Sequence, residues 1–435
     1  MEGSLSESVQ QLVRPGKCVD LYYPDPETAK KQCFRTSQNT RFVQAFNNLS
    51  GGSQTFTIPP NNGVQDIIVV LGLPTGGSSA FPTVTGMGVN RGWGYALINK
   101  ISFRYGGSSQ YFLSGQQVLQ AVLSQGADGS SRDALLSLGG NASAGTDFNT
   151  QQFAYLWLPL PHCIPSAEGK LPPIPSDLLT QQIQVTLELN PIASIFSYGT
   201  TGALSNAPSS LAFGEFVVQQ VLLENQGDAL ARRVDMSSHA LSYPLTFRQQ
   251  EVAIPVASGA TLSAGSAQSV TLTGFRSGEV KEIHVWLTAD SANTPAQGGS
   301  SCILNPFLWY APSDIIMTYA GEVYARGDKD SMKLLNLVNG RIPPVANDVA
   351  LSQVGGAVAY TTPALPSWSI LPFGQSYDNL TAHSTYMAGK PITNGIVNLS
   401  FSIPAGAPSS TYTLHVTYVY NAVLTFSQGT CDYVF

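Results

Sequence analysis

Three blocks of this chain recur further along it in the same order, and that duplication limits the fold more than any other feature. Ile101-Ser-Phe-Arg-Tyr105-Gly-Gly107 matches Ile315-Ile-Met-Thr-Tyr319-Ala-Gly321, 214 positions later. Upstream, Val64-Gln-Asp-Ile67-Ile-Val69-Val-Leu71 matches Val280-Lys-Glu-Ile283-His-Val285-Trp-Leu287, 216 positions later. Downstream, Ile183-Gln-Val185-Thr186-Leu-Glu-Leu-Asn190 matches Leu414-His-Val416-Thr417-Tyr-Val-Tyr-Asn421, 231 positions later. The offsets imply two copies of one domain, with about 17 extra residues between the second and third blocks of the second copy.

The best defined unit runs from Tyr95 to Leu123. Ala96–Tyr105 is apolar and β-branched in loose alternation, which predicts a strand. Gly106-Gly107 breaks it, because glycine takes positive φ without steric cost. Leu113, Val118, Leu119 and Val122 then fall on one helical stripe, with Ser114 as its cap. The unit reads as strand, glycine turn and short amphipathic helix. Gly321 marks the same turn in the second copy, followed by a stripe of Met332, Leu335 and Val338.

Strands are expected in the first copy at Arg41–Phe46, Gln54–Ile58, Val64–Leu73, Gln181–Leu189 and Phe213–Glu224. In the second they are expected at Ser242–Val256, Ser269–Thr273, Val280–Thr288, Ile315–Tyr319, Ile396–Ile403, Tyr412–Tyr420 and Ala422–Phe426. Residues 124–152, 290–299 and 343–376 read as long loops, and a loop of such length in a compact domain is functional or exposed. Residues 1–35, with breakers at Pro15-Gly16 and Tyr23-Pro-Asp-Pro26, form an extended arm or a disordered tail. Residues 225–239 (NQGDALARRVDMSSH) read as a linker helix between a first domain at 36–224 and a second at 240–435. Many short strands joined by loops, in two units of about 190 residues, predict two β-sandwiches or barrels in tandem.

Charged residues are only 11% of the 435, and the 41 Gly and 28 Pro are spread along the chain. With no apolar run long enough to span a bilayer, so little charge implies polar, uncharged surface buried against other subunits, or a secreted β protein rich in Ser, Thr, Gln and Asn. The net charge of −6 and the absence of a basic run argue against direct nucleic-acid binding. Cys18, Cys33, Cys163, Cys302 and Cys431 are odd in number and lack CxxC spacing, so neither a disulfide framework nor a zinc site is indicated; a reducing compartment fits. The start, MEGSLSESVQQ, lacks the apolar centre of a signal peptide.

Four segments together resemble the double jelly-roll major capsid proteins of large icosahedral double-stranded DNA viruses, the nucleocytoplasmic type and its relatives. ALINKISFRYGGSSQYFLSGQQVLQ resembles that family's strand, glycine turn and helix. FAYLWLPLPHCIPSAEGKLPPIPSDLLTQQIQVTLEL resembles its Pro-rich stretch and following strand. FVVQQVLLENQGDALARRVDMSSHALSYPLTFRQQEV resembles the bridge between its rolls, and Ile396-Val-Asn-Leu-Ser-Phe-Ser-Ile-Pro404 its late strand. The resemblance implies an all-β fold of two tandem eight-stranded jelly rolls with short accessory helices. It also implies a homotrimer with a six-lobed outline that tiles as a pseudo-hexagonal capsomer. Neighbouring capsomers, minor capsid and penton proteins and an inner viral membrane would be its partners. The location would be the virion, with assembly in the host cytoplasm or nucleus, and no catalytic activity or cofactor is implied.

The residues themselves offer little chemistry. His162, His239, His284, His383 and His415 lie apart in sequence, without the HxH-plus-Glu grouping of a jelly-roll metal site. Each is expected to be a structural histidine. No GxSxG, GK[ST] or HExxH occurs, and the sparse carboxylates single out no acid/base pair. Gly106 and Gly107 lack the third glycine and lysine of a phosphate cradle, so they are expected to be structural turn residues, as is Gly321. Arg326-Gly327-Asp328 is an RGD triplet that, in an exposed loop, would suit an integrin-like receptor, although glycine-rich chains produce such triplets by chance. Of the sequons at Asn48, Asn141, Asn379 and Asn398, Asn141 in the expected 124–152 loop is the best glycosylation candidate. The alternative to a shell subunit is an extracellular carbohydrate-binding β-sandwich. That reading would favour a signal peptide, paired cysteines and clustered aromatics, whereas Trp93, Trp157, Trp286, Trp309 and Trp368 are dispersed.

Overall fold

A computed structural model describes residues 37–46, 51–75, 87–89, 91–106, 111–124, 129–144, 150–159, 174–198, 210–223, 241–289, 309–328, 330–332, 334, 351–354, 357–360, 367–373, 389–392, 395–427 and 429–434. The expected arm, the linker helix, Gly107, Asn48 and Asn379 lie outside these residues.

Among the described residues, each half of the chain carries two antiparallel sheets built on four principal strands, and the first half adds a small sheet of Met87–Val89, Ser143–Ala144 and Phe196–Tyr198. In the first half the strands are β1 (Ser37–Ala45), β2 (Ser53–Ile58), β3 (Gly63–Gly72), β4 (Ile98–Arg104), β5 (Tyr111–Ser114), β6 (Phe153–Leu158), β7 (Ile183–Leu189) and β8 (Phe213–Leu223). They pair in the orders β1-β8-β3-β6 and β2-β7-β4-β5. In the second half they are β9 (Leu241–Arg248), β10 (Ala267–Leu272), β11 (Glu279–Ala289), β12 (Ser313–Tyr319), β13 (Glu322–Gly327), β14 (Ser369–Pro372), β15 (Val397–Ser402) and β16 (Tyr412–Ser427). The orders there are β9-β16-β11-β14 and β10-β15-β12-β13, each strand standing eight places after its counterpart. Both halves are therefore eight-stranded jelly rolls, and the all-β fold expected from the sequence is the one observed. Short strands at Val252–Pro255, Trp309–Tyr310, Lys390–Pro391 and Thr430–Val434 widen the second roll's larger sheet.

Alternation builds each core. On β7 the side chains of Ile183, Val185, Leu187 and Leu189 point inward while Gln184 is exposed. They meet Ile67, Val69 and Leu71 of β3, and Phe56 stacks on Phe216 with ring centroids 4.2 Å apart. In the second roll Ile283, Val285 and Leu287 face Met317, Leu399 and Phe401 in the same way. Burying one such side chain contributes roughly 1.5–3 kcal/mol relative to leaving it in water.

The topology corrects the third repeat. Residues 183–190 are β7, but 414–421 belong to β16, which is the counterpart of β8. The true partner of Ile183-Gln-Val185-Thr-Leu187 is Val397-Asn-Leu399-Ser-Phe401 on β15, at an offset of 214. The inferred insertion of 17 residues disappears, because one apolar alternation resembles another closely enough to misalign.

The expected unit is also longer than it reads. Ala96 and Leu97 end a short helix, α1 (Trp93–Leu97), before β4 begins. Strand β5 then stands between the glycine turn and the helix, α2 (Gly115–Leu123). Residues 124–152 are not one loop. They hold α3 (Gly129–Leu138) and a strand at Ser143–Ala144, where small residues had concealed the periodicity. Within 343–376 lie β14 and a hairpin of Leu351–Val354 with Ala357–Tyr360. The two strands expected between Tyr412 and Phe426 are one, β16.

Candidate functional site

Helix α2 joins the two rolls. Ser114 caps it as expected. Its hydroxyl accepts from Gln117 N–H at 3.2 Å and its own N–H donates to Gln117 Oε1 at 3.1 Å, a reciprocal capping box. A Cβ on Gly115 would stand 2.2 Å from the Ile98 carbonyl oxygen, so only glycine lets the first turn of α2 lie against the start of β4. Val118, Leu119, Val122 and Leu123 are buried. The glutamines between them reach the second roll.

They land on the outer face of β9-β16-β11-β14, the face turned away from that roll's core. Trp286 Nε1–H donates to Gln116 Oε1 at 2.9 Å. Gln117 Nε2 donates to the Gln249 carbonyl at 2.7 Å and to Thr417 Oγ1 at 3.0 Å. Arg248 Nη1 donates to Gln120 Oε1 at 3.0 Å. Gln117 and Gln120 are fully buried, and a buried amide lacking such partners would cost about 1–3 kcal/mol. Rings continue the seam, with Tyr111 on Phe247 at 4.9 Å and Phe247 on Tyr433 at 5.2 Å.

Charges sit inside this seam. Burial lowers the pKa of Arg248, with Glu282 pulling it back up. Burial also holds His284 below its ordinary value, opposed by its 2.9 Å contact with Glu282. Buried ionic groups of this kind add little net stability, but leaving one unpaired is costly, and Arg248 is the one of these that reaches across to Gln120.

One chain of contacts has the order of a nucleophilic triad. Thr288 Oγ1 lies 2.8 Å from His415 Nε2, and His415 Nδ1 lies 2.5 Å from Glu251 Oε1. Ser114 Oγ–H donates to the other oxygen, Glu251 Oε2, at 2.5 Å. A cleft of about 280 Å³ beside α2 touches Ser114 and Glu251, together with Tyr95, Asn99, Gln116 and Asn190. Thr288 and His415 do not line it, and both are buried. With its hydroxyl out of reach of a substrate there, the chain acts as a clamp between the rolls. Among the described residues no three His, Cys, Asp or Glu side chains converge to hold a metal ion.

The residues singled out in the sequence do not converge. Gly106 has φ +51° and closes on Leu179. Ala320 and Gly321, at φ +50° and +84°, form the two-residue turn between β12 and β13, where a Cβ on Gly321 would meet open space. The RGD triplet sits at the end of a strand, with Asp328 just beyond it. Arg326 and Gly327 belong to β13, opposite Ile316 and Ile315. The Asp328 carboxylate accepts from Ser331 N–H at 2.7 Å and Ser331 Oγ–H at 2.6 Å, and the hydroxyl contact, before the backbone one, lowers its pKa. Asn141 is exposed, just after α3, while Ser143 of its sequon is buried and donates to Gln152. Asn398 sits on β15, its Oδ1 accepting from Thr271. His284 and His415 are both buried, and His162, His239 and His383 lie outside the described residues. The sequence reading missed this seam. Its one sign was β11, whose run EVKEIHVWLTA shows no apolar alternation, as expected of a strand covered on both faces.

Two sandwiches of one topology, sealed along an amphipathic helix, define a double jelly-roll protein. Solved structures share this fold. The chain is similar to PBCV-1 VP54, as fitted into a reconstruction of the virophage Sputnik, at 11% identity and a TM-score of 0.62, covering 92% of this chain and 97% of that one. It is similar to a chain of the PBCV-1 virus capsid at 12% identity and 0.60, with the same coverage. A chain of the Sputnik virophage matches at 12% and 0.55, covering 92% and 88%. No family model and no curated protein sequence matches.

Proposed function

We propose that this chain is the major capsid protein of an icosahedral double-stranded DNA virus, a structural subunit without catalytic activity. The observation that carries the proposal is the two-roll likeness to capsid chains over 92% of the sequence. Three chains associate as a six-lobed homotrimer that tiles as a pseudo-hexagonal capsomer. In the virion it meets neighbouring capsomers, minor capsid and penton proteins and an inner membrane, with assembly in the host cytoplasm or nucleus and no direct contact to nucleic acid. The division into an arm at 1–35, rolls at 36–224 and 240–435 and a linker helix at 225–239 belongs to the same proposal.

The tryptophans offer the carbohydrate-binding alternative no platform. Trp93, Trp286, Trp309 and Trp368 are buried, and Trp157 donates to Asp66 at 2.9 Å. Light scattering of the purified chain tests the proposal. Three chain masses per particle are expected, and a stable monomer at micromolar concentration would overturn it.

A further inference from the structure

The cleft beside α2 is bordered by a carboxylate that lacks a cation. The Glu251 side chain is 11% exposed, and among the described residues its partners are His415 and the Ser114 hydroxyl, with no lysine or arginine. A carboxylate has room for about four hydrogen bonds, so these two contacts leave half of its capacity open. The amides around it present the same chemistry. Asn190 donates its Nδ2–H to the Ala96 carbonyl at 3.0 Å, and Asn99 donates its Nδ2–H to Glu188 Oε1 at 2.6 Å, so in each the unbonded side-chain atom is the carbonyl oxygen. Ser114 gives its proton to Glu251 and receives Gln117 N–H on its oxygen. Among the described residues lining the cleft, only Gln116, whose Oε1 accepts from Trp286, keeps an unbonded side-chain amide nitrogen. The cleft is thus rich in acceptors and poor in donors, and its one formal charge is negative.

We infer that this cleft is a binding site for an alkyl ammonium ion, the chemistry shared by a free diamine and a lysine side chain. A nearly buried carboxylate without a cation bears a desolvation cost, which an ammonium at hydrogen-bond distance offsets. The N–H donors of one ammonium suit the open capacity of Glu251 and the carbonyl oxygens of Asn99 and Asn190. Tyr95, Ala96 and Ile98 supply an apolar wall for the methylenes. The volume of about 280 Å³ lies just below the roughly 300–1,000 Å³ of organic-ligand pockets, so the occupant is a small ion or a single side chain. The N-terminus of α2 opposes a cation, but its roughly half charge is outweighed by the full charge of Glu251. A hard metal ion fits less well, since among the described residues no three His, Cys, Asp or Glu side chains converge. Asn99 and Asn190 belong to the first roll and Glu251 follows β9 of the second, so a bound ammonium bridges the two rolls and stabilises their junction by mass action. The inference goes beyond the shell-subunit reading and does not depend on it.

Calorimetric titration and thermal melting of the purified full-length chain test the inference. Putrescine represents the free diamine, Nα-acetyl-lysine amide a protein side chain, and butanediol a neutral molecule shaped like the diamine. Both ammonium probes are expected to bind at millimolar concentration and to raise the melting temperature, and the tighter of the two identifies the source. Butanediol is expected to do neither. Glu251→Gln keeps the shape of the side chain and its contacts with Ser114 and His415, and is expected to weaken binding about tenfold or more through loss of the charge. Asn99→Lys changes an exposed residue, leaves Glu251 intact and places an ammonium at the rim beside Glu188. It is expected to abolish binding while the ligand-free chain melts like the parent, so it decides the matter even where Glu251→Gln fails to fold. A parent that binds neither ammonium probe, equal binding of butanediol, or parent-like binding in either folded variant would overturn the site.

Discussion

The sheets β1-β8-β3-β6 and β9-β16-β11-β14 share strand order, hand of pairing and inward side chains, and differ on their outer faces. The second roll's face is polar and sealed. Its Arg248, Glu282, His284, Trp286, Thr288, His415 and Thr417 are all buried, and Arg248, Trp286 and Thr417 are bonded across the seam. The first roll's face is apolar and open. The difference shows what a duplicated domain does with a surface it has twice. The copy that meets its partner within the chain acquires specific hydrogen bonds and buried charge, which fix one register. The other copy's face keeps half-exposed Val43, Phe153, Tyr155 and Phe213, with Arg41, Asp66 and Glu215 spread among them.

The sharpest way to break this comparison is to truncate one aromatic on each face. Trp286 stacks on His415 and Trp309 and donates to Gln116, so Trp286→Ala should cost about 3–5 kcal/mol at any protein concentration. Tyr155→Ala on the open face should cost no more than about 0.5 kcal/mol, the range of surface truncations. Urea unfolding separates the two. Equal losses would mean that the faces do not differ as described.

The turns compare the copies at a smaller scale. Gly106→Val and Gly321→Val each force a β-branched residue into positive φ, at about 1–3 kcal/mol. Gly106→Val should lose more, since its Cβ would stand 2.9 Å from Leu179 while that of Gly321 meets nothing within 4 Å. Melting temperatures and trimer yield should fall in that order. Parent-like behaviour in both variants would contradict the turn assignment.

The smallest effect is the response to acid. Burial lowers the pKa of His284 below 6.5, against the pull of Glu282 and with Arg248 and Lys281 nearby. The unfolded chain therefore takes up a proton that the folded chain refuses. Stability that is full above pH 6.5 should fall as the pH drops toward the lowered folded value. Ile68 holds the equivalent place in the first roll and cannot titrate. His284→Gln should flatten the dependence of melting temperature on pH below 6.5, and an unchanged slope would remove His284 as its source.

Much of the fold was legible because strands such as β7 alternate strictly, and because β3 and β4 repeat at β11 and β12 with small changes. The short strands β5, β13 and β14 escaped. Four to six residues give too few turns of the pattern, and β5 runs straight into the cap of α2. The third repeat went wrong because Ile183–Leu189 matches any apolar alternation, β16 as well as β15. The candidate site was hardly legible at all. Gln117 meets Thr417 across 300 positions, and nothing local to either residue announces the other. RGD and sequon motifs, by contrast, are easy to find in a sequence, yet Arg326 and Gly327 prove to be paired strand residues.

A negative-stain image of the purified chain tests the account most directly. Two like rolls per chain, closed over three copies, predict a particle of three chains with six similar lobes around a common axis. Single two-lobed particles at micromolar concentration, or a two-fold dimer joined face to face through β1-β8-β3-β6, would contradict it.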